Sequence, residues 1–141
     1  MTQRDADPSS PAGASREDAT DPTPATAVDH GALLLVLTNV PDAAAADRIG
    51  RAVVDERLAA CVNALAPVRS TYRWQGGVEC ADEIPLLFKT TQARWTALAA
   101  RLRALHPYDV PEIVAWRADA VDAPYLAWVV AETSGRPGDV A

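Results

Sequence analysis

Apolar and polar positions follow two different periods along this chain, and the switches between them mark its elements. Ala32-Leu33-Leu34-Leu35-Val36-Leu37-Thr38 is an unbroken apolar run, as expected of a strand central in its sheet or covered on both faces. Pro41 and Asp42 then open a helix, with Asp42 as its cap and Ala46, Ile49, Val53 and Leu58 on one side. A second strand runs from Ala60-Cys61-Val62-Asn63, with a break at Pro67, to Tyr72-Arg73-Trp74. Gln75-Gly76-Gly77 reads as a turn, so the chain returns as a hairpin through Val78 and Ile84-Pro85-Leu86-Leu87-Phe88 to Lys89-Thr90. Pro85 has no N–H for a ladder and calls for a bulge or an edge position. Thr91 caps a second helix whose apolar side is Trp95, Leu98, Leu102 and Leu105, and Pro107 stops it. Ile113-Val114-Ala115-Trp116 forms a fourth strand. Asp122-Ala123-Pro124 starts a short third helix bearing Tyr125, Leu126, Trp128 and Val129.

The order β-α-β-β-α-β plus a terminal helix predicts an α+β, ferredoxin-like fold, with the first two helices on one face of an antiparallel sheet. Each hairpin arm reaches roughly a dozen residues, and at about 3.3 Å per residue the tip outreaches the other strands. A protruding hairpin with an aromatic tip, Tyr72 and Trp74, needs a partner subunit to cover it, which predicts a homo-oligomer.

Composition divides the chain further. Residues 1–30 are rich in Asp, Pro, Ser, Thr and Ala, and are expected to form a disordered acidic tail. Residues 31–135 form the folded domain, and 136–141 a flexible C-terminus. The first thirty residues carry two arginines against six carboxylates, a net of −4 out of the chain's −6. The rest is nearly balanced, without the basic field that a phosphate backbone requires, so nucleic acid is not an expected partner. The longest apolar run is too short to span a bilayer, and neither a signal peptide nor a membrane partner is expected. Two cysteines, Cys61 and Cys80, make no disulfide scaffold, and a cytoplasmic location follows as the expectation.

Candidate chemistry gathers at His106-Pro107-Tyr108-Asp109-Val110-Pro111-Glu112, between a helix and a strand. Two prolines stiffen this connection, so its side chains should hold defined directions. His106 fits either a metal ligand or a helix-terminal imidazole capping free carbonyls. Lys89 is the only lysine in a chain that otherwise uses arginine. Lys89, Tyr108 and Glu112, with Tyr72 or Trp74 of a neighbouring subunit, are candidates to line an inter-subunit cleft for a small anionic or zwitterionic ligand. An interface network of ion pairs and hydrogen bonds is the other reading of the same set. Cys61 reads as a small buried hydrophobe rather than a nucleophile, and Cys80 as a weak soft ligand at the surface. No nucleophile elbow, phosphate-cradling glycine loop or patterned carboxylate pair is present, so no enzymatic activity is expected.

From about Leu33 to Thr133 the chain resembles the CutA, or divalent-cation tolerance, family. The matching pieces are Ala59-Ala60-Cys61-Val62-Asn63, Tyr72-Arg73-Trp74-Gln75-Gly76, Lys89-Thr90-Thr91, His106 to Glu112, and Tyr125-Leu126-Ala127-Trp128. The resemblance implies a homotrimer similar in architecture to PII signal-transducer proteins, and a non-enzymatic role in divalent metal tolerance or response. Some members are described as binding copper through a cysteine and a His-His pair. Those positions carry over to Thr38, Leu105 and His106, and only the last can ligate Cu(II) or another divalent metal well. The metal expectation for this chain therefore rests on His106 alone and is weak. A PII-like sensing module with an anionic ligand in its clefts is the alternative.

Overall fold

The computed structural model describes residues 32–135. The segments read above as tails, residues 1–30 and 136–141, lie outside the described residues, as does His30. The elements are β1 (Leu33–Val40), α1 (Ala43–Asp55), β2 (Cys61–Ala64), β3 (Val68–Trp74), β4 (Gly77–Thr91), α2 (Trp95–Leu105), β5 (Val114–Arg117) and α3 (Ala123–Glu132). All pairings are antiparallel. The sheet order is β2-β4-β1-β5, with β3 also on β4, which is the ferredoxin-like arrangement predicted from the pattern.

Local chemistry accounts for most of the boundaries. Asp42 is extended and its Oδ1 accepts the Ala45 N–H at 2.8 Å, so it caps α1. The hairpin turn is Gln75-Gly76, both with positive φ, inside the pair Trp74↔Gly77. That geometry suits a two-residue loop whose twist matches the strands, and glycine adopts it without a Cβ penalty. Thr91 behaves differently from expectation. It is buried as the last residue of β4, opposite Leu33, and makes no side-chain cap bond. The chain instead enters α2 through a single 3-10 turn, Gln92–Arg94.

Pro85 sits neither on an edge nor at a bulge of its own strand. It pairs in unbroken register with Asn39 of β1. Across β4's other side, Ala64 faces Leu86 and Val68 faces Glu83, so the partner strand spends one residue more than β4 over this step. The irregularity thus falls in the partner, between β2 and β3. The Pro85 carbonyl accepts the Leu65 N–H there at 2.9 Å, and the missing N–H meets the gap.

The core lies between the sheet and α1 with α2. Val36, Val40, Phe88, Ile49, Val53, Leu98 and Leu102 are fully buried in it, and Trp95 and Leu105 pack at its margin. Among the described residues, the opposite face is covered only near Leu33, where Val129 and Leu126 of α3 pack. Strand alternation puts Leu35, Leu37, Leu87, Val114 and Trp116 on this second face. Val114 keeps 47% and Trp116 44% of its surface exposed.

Candidate functional site

The polar loop after α2 meets the end of β1 and the base of the hairpin. α2 ends because His106 turns extended before Pro107, its N–H still bonding the Leu102 carbonyl at 2.9 Å. The His106 ring is thereby turned into the protein beneath β1. Its Nδ1 accepts the Tyr108 N–H at 3.2 Å. A ring that accepts at Nδ1 carries its proton on Nε2 when neutral, an assignment that follows from the bonding network. Nε2 lies 2.9 Å from the Asn39 carbonyl and 3.0 Å from Thr38 Oγ1. Burial pushes the imidazole below its ordinary pKa, and the Asn39 carbonyl partly opposes this. The ring of Tyr108 packs tilted against it, centroids 4.9 Å apart.

Tyr108 points outward from there and donates its hydroxyl to Glu83 Oε2 at 3.0 Å. Burial, then the Glu83 carboxylate, raises the phenol to about 12. Asn39 Nδ2 donates to Glu112 Oε2 at 2.6 Å. On the hairpin, Tyr72 donates to Glu79, its directly opposite residue, at 3.4 Å. These side chains, with Trp74, Asp109 and Val110, line one groove of about 760 Å³, within the size range of small-molecule sites.

Tyr72, Trp74, Tyr108 and Glu112 all line this groove within a single chain, whereas the expected cleft lay between subunits and drew Tyr72 or Trp74 from a neighbour. Lys89 does not line it. It lies six residues along β4 from Glu83, about 20 Å of extended strand. It sits on the open sheet face, in the row Cys61–Lys89–Leu35–Trp116. The reason is topological. α2, about 16 Å long, carries the chain from the end of β4 back across the sheet to the start of β5, so those two points lie at opposite ends. Glu79, Glu83 and Asn39 line the groove without having been singled out from the sequence. The hairpin turn held the signal for two of them: pairing Trp74 with Gly77 places Glu79 opposite Tyr72 and Glu83 opposite Val68.

The residues at the implied copper positions meet, but as a hydrogen bond. Thr38 and His106 are both buried and 3.0 Å apart, while Leu105 packs on the core. Both His106 nitrogens are engaged within the protein, and a hydroxyl is a poor copper ligand. Among the described residues no group of three or more His, Cys, Asp or Glu is disposed to hold a metal ion. These positions do not form a ready copper centre within one chain. Cys61 lies 3.6 Å from the Tyr125 hydroxyl, and both it and Cys80 are free thiols.

An antiparallel four-position sheet with two helices on one face, a long hairpin and a stiff His-Pro-Tyr loop defines a specialised ferredoxin-like chain. It belongs to the CutA1 divalent ion tolerance family, whose model matches residues 34–132. The chain is 47% identical over 95 residues to the divalent-cation tolerance protein CutA of Thermus thermophilus, covering 67% of this chain and 92% of that one. It is 36% identical over 120 residues to human protein CutA, covering 82% and 67%. Among solved structures, CutA of Xylella fastidiosa superposes with a TM-score of 0.71 at 43% identity, covering 72% of this chain and 98% of that one. The CutA of Archaeoglobus fulgidus, described as periplasmic, gives 0.70 at 26% identity, covering 72% and 99%. No helix among the described residues is long and apolar enough to cross a membrane.

Proposed function

We propose that this chain is a non-enzymatic homotrimer acting in tolerance of, or response to, divalent metal ions in the cytoplasm. Family membership supports the metal role, and the two free thiols fit a reducing compartment. The observation that carries the assembly is the second sheet face. Leu35, Leu37, Leu87, Val114 and Trp116 form one apolar surface too broad for α3 to cover. Contiguous surfaces of this kind mark protein–protein contacts. Metal binding in this reading is weak and centres on His106, because an ion there must displace the Thr38 or Tyr108 bond.

The test joins light scattering to a calorimetric titration of Cu(II). A mass of three chains, with about one ion per subunit bound and lost in His106→Ala, is the expected outcome. Thr38→Cys with Leu105→His should raise copper affinity at least tenfold, since position 38 already touches the imidazole. A monomer would sink the assembly, and equal copper binding by the His106→Ala protein would sink the site.

A second reading is favoured by the groove itself: a ligand site at the hairpin base, as in a PII-like sensing module. The groove's lining supports a ligand, but its one expected cation, Lys89, lies elsewhere, so an anionic ligand finds no counter-charge among the described residues.

A further inference from the structure

The groove at the hairpin base carries a charge that its expected ligand does not match. Glu79, Glu83, Asp109 and Glu112 line it, and no lysine or arginine among the described residues does. The three ion pairs among the described residues, Arg57–Glu132, Arg69–Asp82 and Arg101–Glu56, include none of the four. Glu83 is the telling member. Only 8% of it is exposed, and its Oε2 is held by the Tyr108 hydroxyl, a neutral donor. A carboxylate taken out of water without a cation is costly. Tyr72 and Tyr108 hold their protons well past neutral pH, burial being the first cause in each, so they add donors and no further negative charge.

We propose that this groove binds an organic polycation, an aliphatic di- or triamine, whose separated ammonium groups pair with Glu83, Glu79 and Glu112 while its methylenes lie against Tyr72, Trp74 and Tyr108. The proposal rests on the reading of the groove as a ligand site and is independent of the metal role. Three features select this class. Glu79 and Glu83 are four residues apart on one strand, roughly 13 Å, so one compact cation cannot serve both. The carboxylates do not converge as a metal requires: divalent ions gather several oxygens at about 2.0–2.6 Å, and no cluster of that kind exists among the described residues. The walls are aromatic, with Tyr72, Trp74 and Tyr108 each partly exposed. Such rings attract ammonium groups and cover alkyl chains, but do not ligate hard metal ions.

Several charges sit in ready positions. Asn39 fixes Glu112 by one oxygen and leaves the other available. Tyr72 and Tyr108 orient Glu79 and Glu83 in the same way, each through one oxygen. An occupant with one cationic end and one anionic end would meet repulsion along most of this length.

The test is a calorimetric titration of the full chain with spermidine and putrescine, at fixed ionic strength, beside magnesium chloride, glutamate and inorganic phosphate. Saturable spermidine binding near one per subunit is expected, weakened at least tenfold in Glu83→Gln. That variant keeps an oxygen for the Tyr108 hydroxyl and removes only the charge. Should it fail to assemble, Glu112→Gln reads the same loss at an exposed position that still accepts from Asn39. Asp55→Asn, on α1 and outside the groove lining, should leave the binding unchanged. Amine binding equal in all these variants, or matched by magnesium, would be diffuse attraction to an acidic chain and would overturn the proposal. Saturable binding of phosphate or glutamate in place of amine would overturn it while keeping the groove as a ligand site. Binding of none of these probes would remove the groove reading altogether, and copper titration would still judge the metal role separately.

Discussion

The two faces of the sheet are made by the same strands, yet one is finished and the other is not. On the helix side, Val36, Phe88, Leu98 and Leu102 have no exposed surface. On the other side, one residue along each strand, Leu35, Leu87, Val114 and Trp116 stay partly or largely open beyond the end of α3. Both faces follow from the unbroken apolar run of β1, because alternation sends half of it each way. A run apolar on both faces needs two covers, and the described residues hold helices enough for little more than one. The difference teaches where to look for stability within a subunit and where to look for assembly.

The contrast can be broken most forcefully at Phe88. Phe88→Ala should cost about 3–5 kcal/mol of unfolding free energy, since a packed site cannot collapse around the lost ring. Chemical denaturation would show it as a lower midpoint at unchanged slope. A loss below 1 kcal/mol would mean that the helix-covered face is not a closed core. Trp116→Asp probes the other face. A buried aromatic at an interface commonly carries about 2 kcal/mol or more of binding, so sedimentation should show the assembly dissociating at concentrations where the parent stays intact. The helical circular dichroism of the subunit should survive. An unaltered mass would assign the open face to solvent.

Much of this contrast was legible in the sequence. Ile49, Val53, Leu98 and Leu102 sit at helical spacing and do form the core. The element order sufficed for the sheet topology, because a split βαβ permits few arrangements. What the sequence withheld were features set by pairing across strands. Pro85 signals an irregularity in its own strand, but the extra residue belongs to the partner. Thr91 has the residue type of a helix cap, but the sheet keeps it. Lys89 is near Tyr108 and Glu112 along the chain, but a helix crossing the sheet separates them. Of the groove, the aromatic members and Glu112 were visible as unusual residues near the hairpin tip and in the loop after α2. Glu79 and Glu83 were invisible as a pair until the hairpin register placed them beside Tyr72 and under Tyr108.

His106 joins the finished face to the groove, and its protonation should report on that junction. The unfolded imidazole titrates near 6.5, and the folded one is lowered by burial. Between those values the unfolded chain binds more protons, so stability rises with pH across the window. The contribution is complete above about 6.5 and is lost as pH falls towards the folded value. One proton gives at most about 1.4 kcal/mol per pH unit. The groups that face the ring are Thr38, the Asn39 carbonyl and the Tyr108 N–H, with Glu83 and Arg48 acting at longer range. Carboxylates also weaken the fold in acid, so the comparison is with His106→Gln. That variant should show a shallower loss of melting temperature between pH 7.5 and 5.5. Parallel curves for the two proteins would show that the buried ring bears no part of the acid sensitivity.

The smallest effect sharpens the comparison most finely, because it touches the finished face without touching the open one. Asp42 holds the Ala45 N–H at 2.8 Å, one of the donors that the first turn of α1 leaves without a helical partner. Asp42→Ala removes that acceptor and should cost about 1 kcal/mol. Asp122 stands at the corresponding position of α3 but makes no side-chain cap bond, so Asp122→Ala should cost a few tenths of a kcal/mol at most on the same scale. The two substitutions share their chemistry and differ only in whether a bond exists to lose. α1 lies wholly on the helix-covered face, so Asp42→Ala should lower the unfolding midpoint and leave the assembled mass unchanged. If Asp42→Ala instead loosened the assembly as much as it lowered the midpoint, the two faces would be one cooperative unit, and the division between subunit core and contact surface would have to be given up.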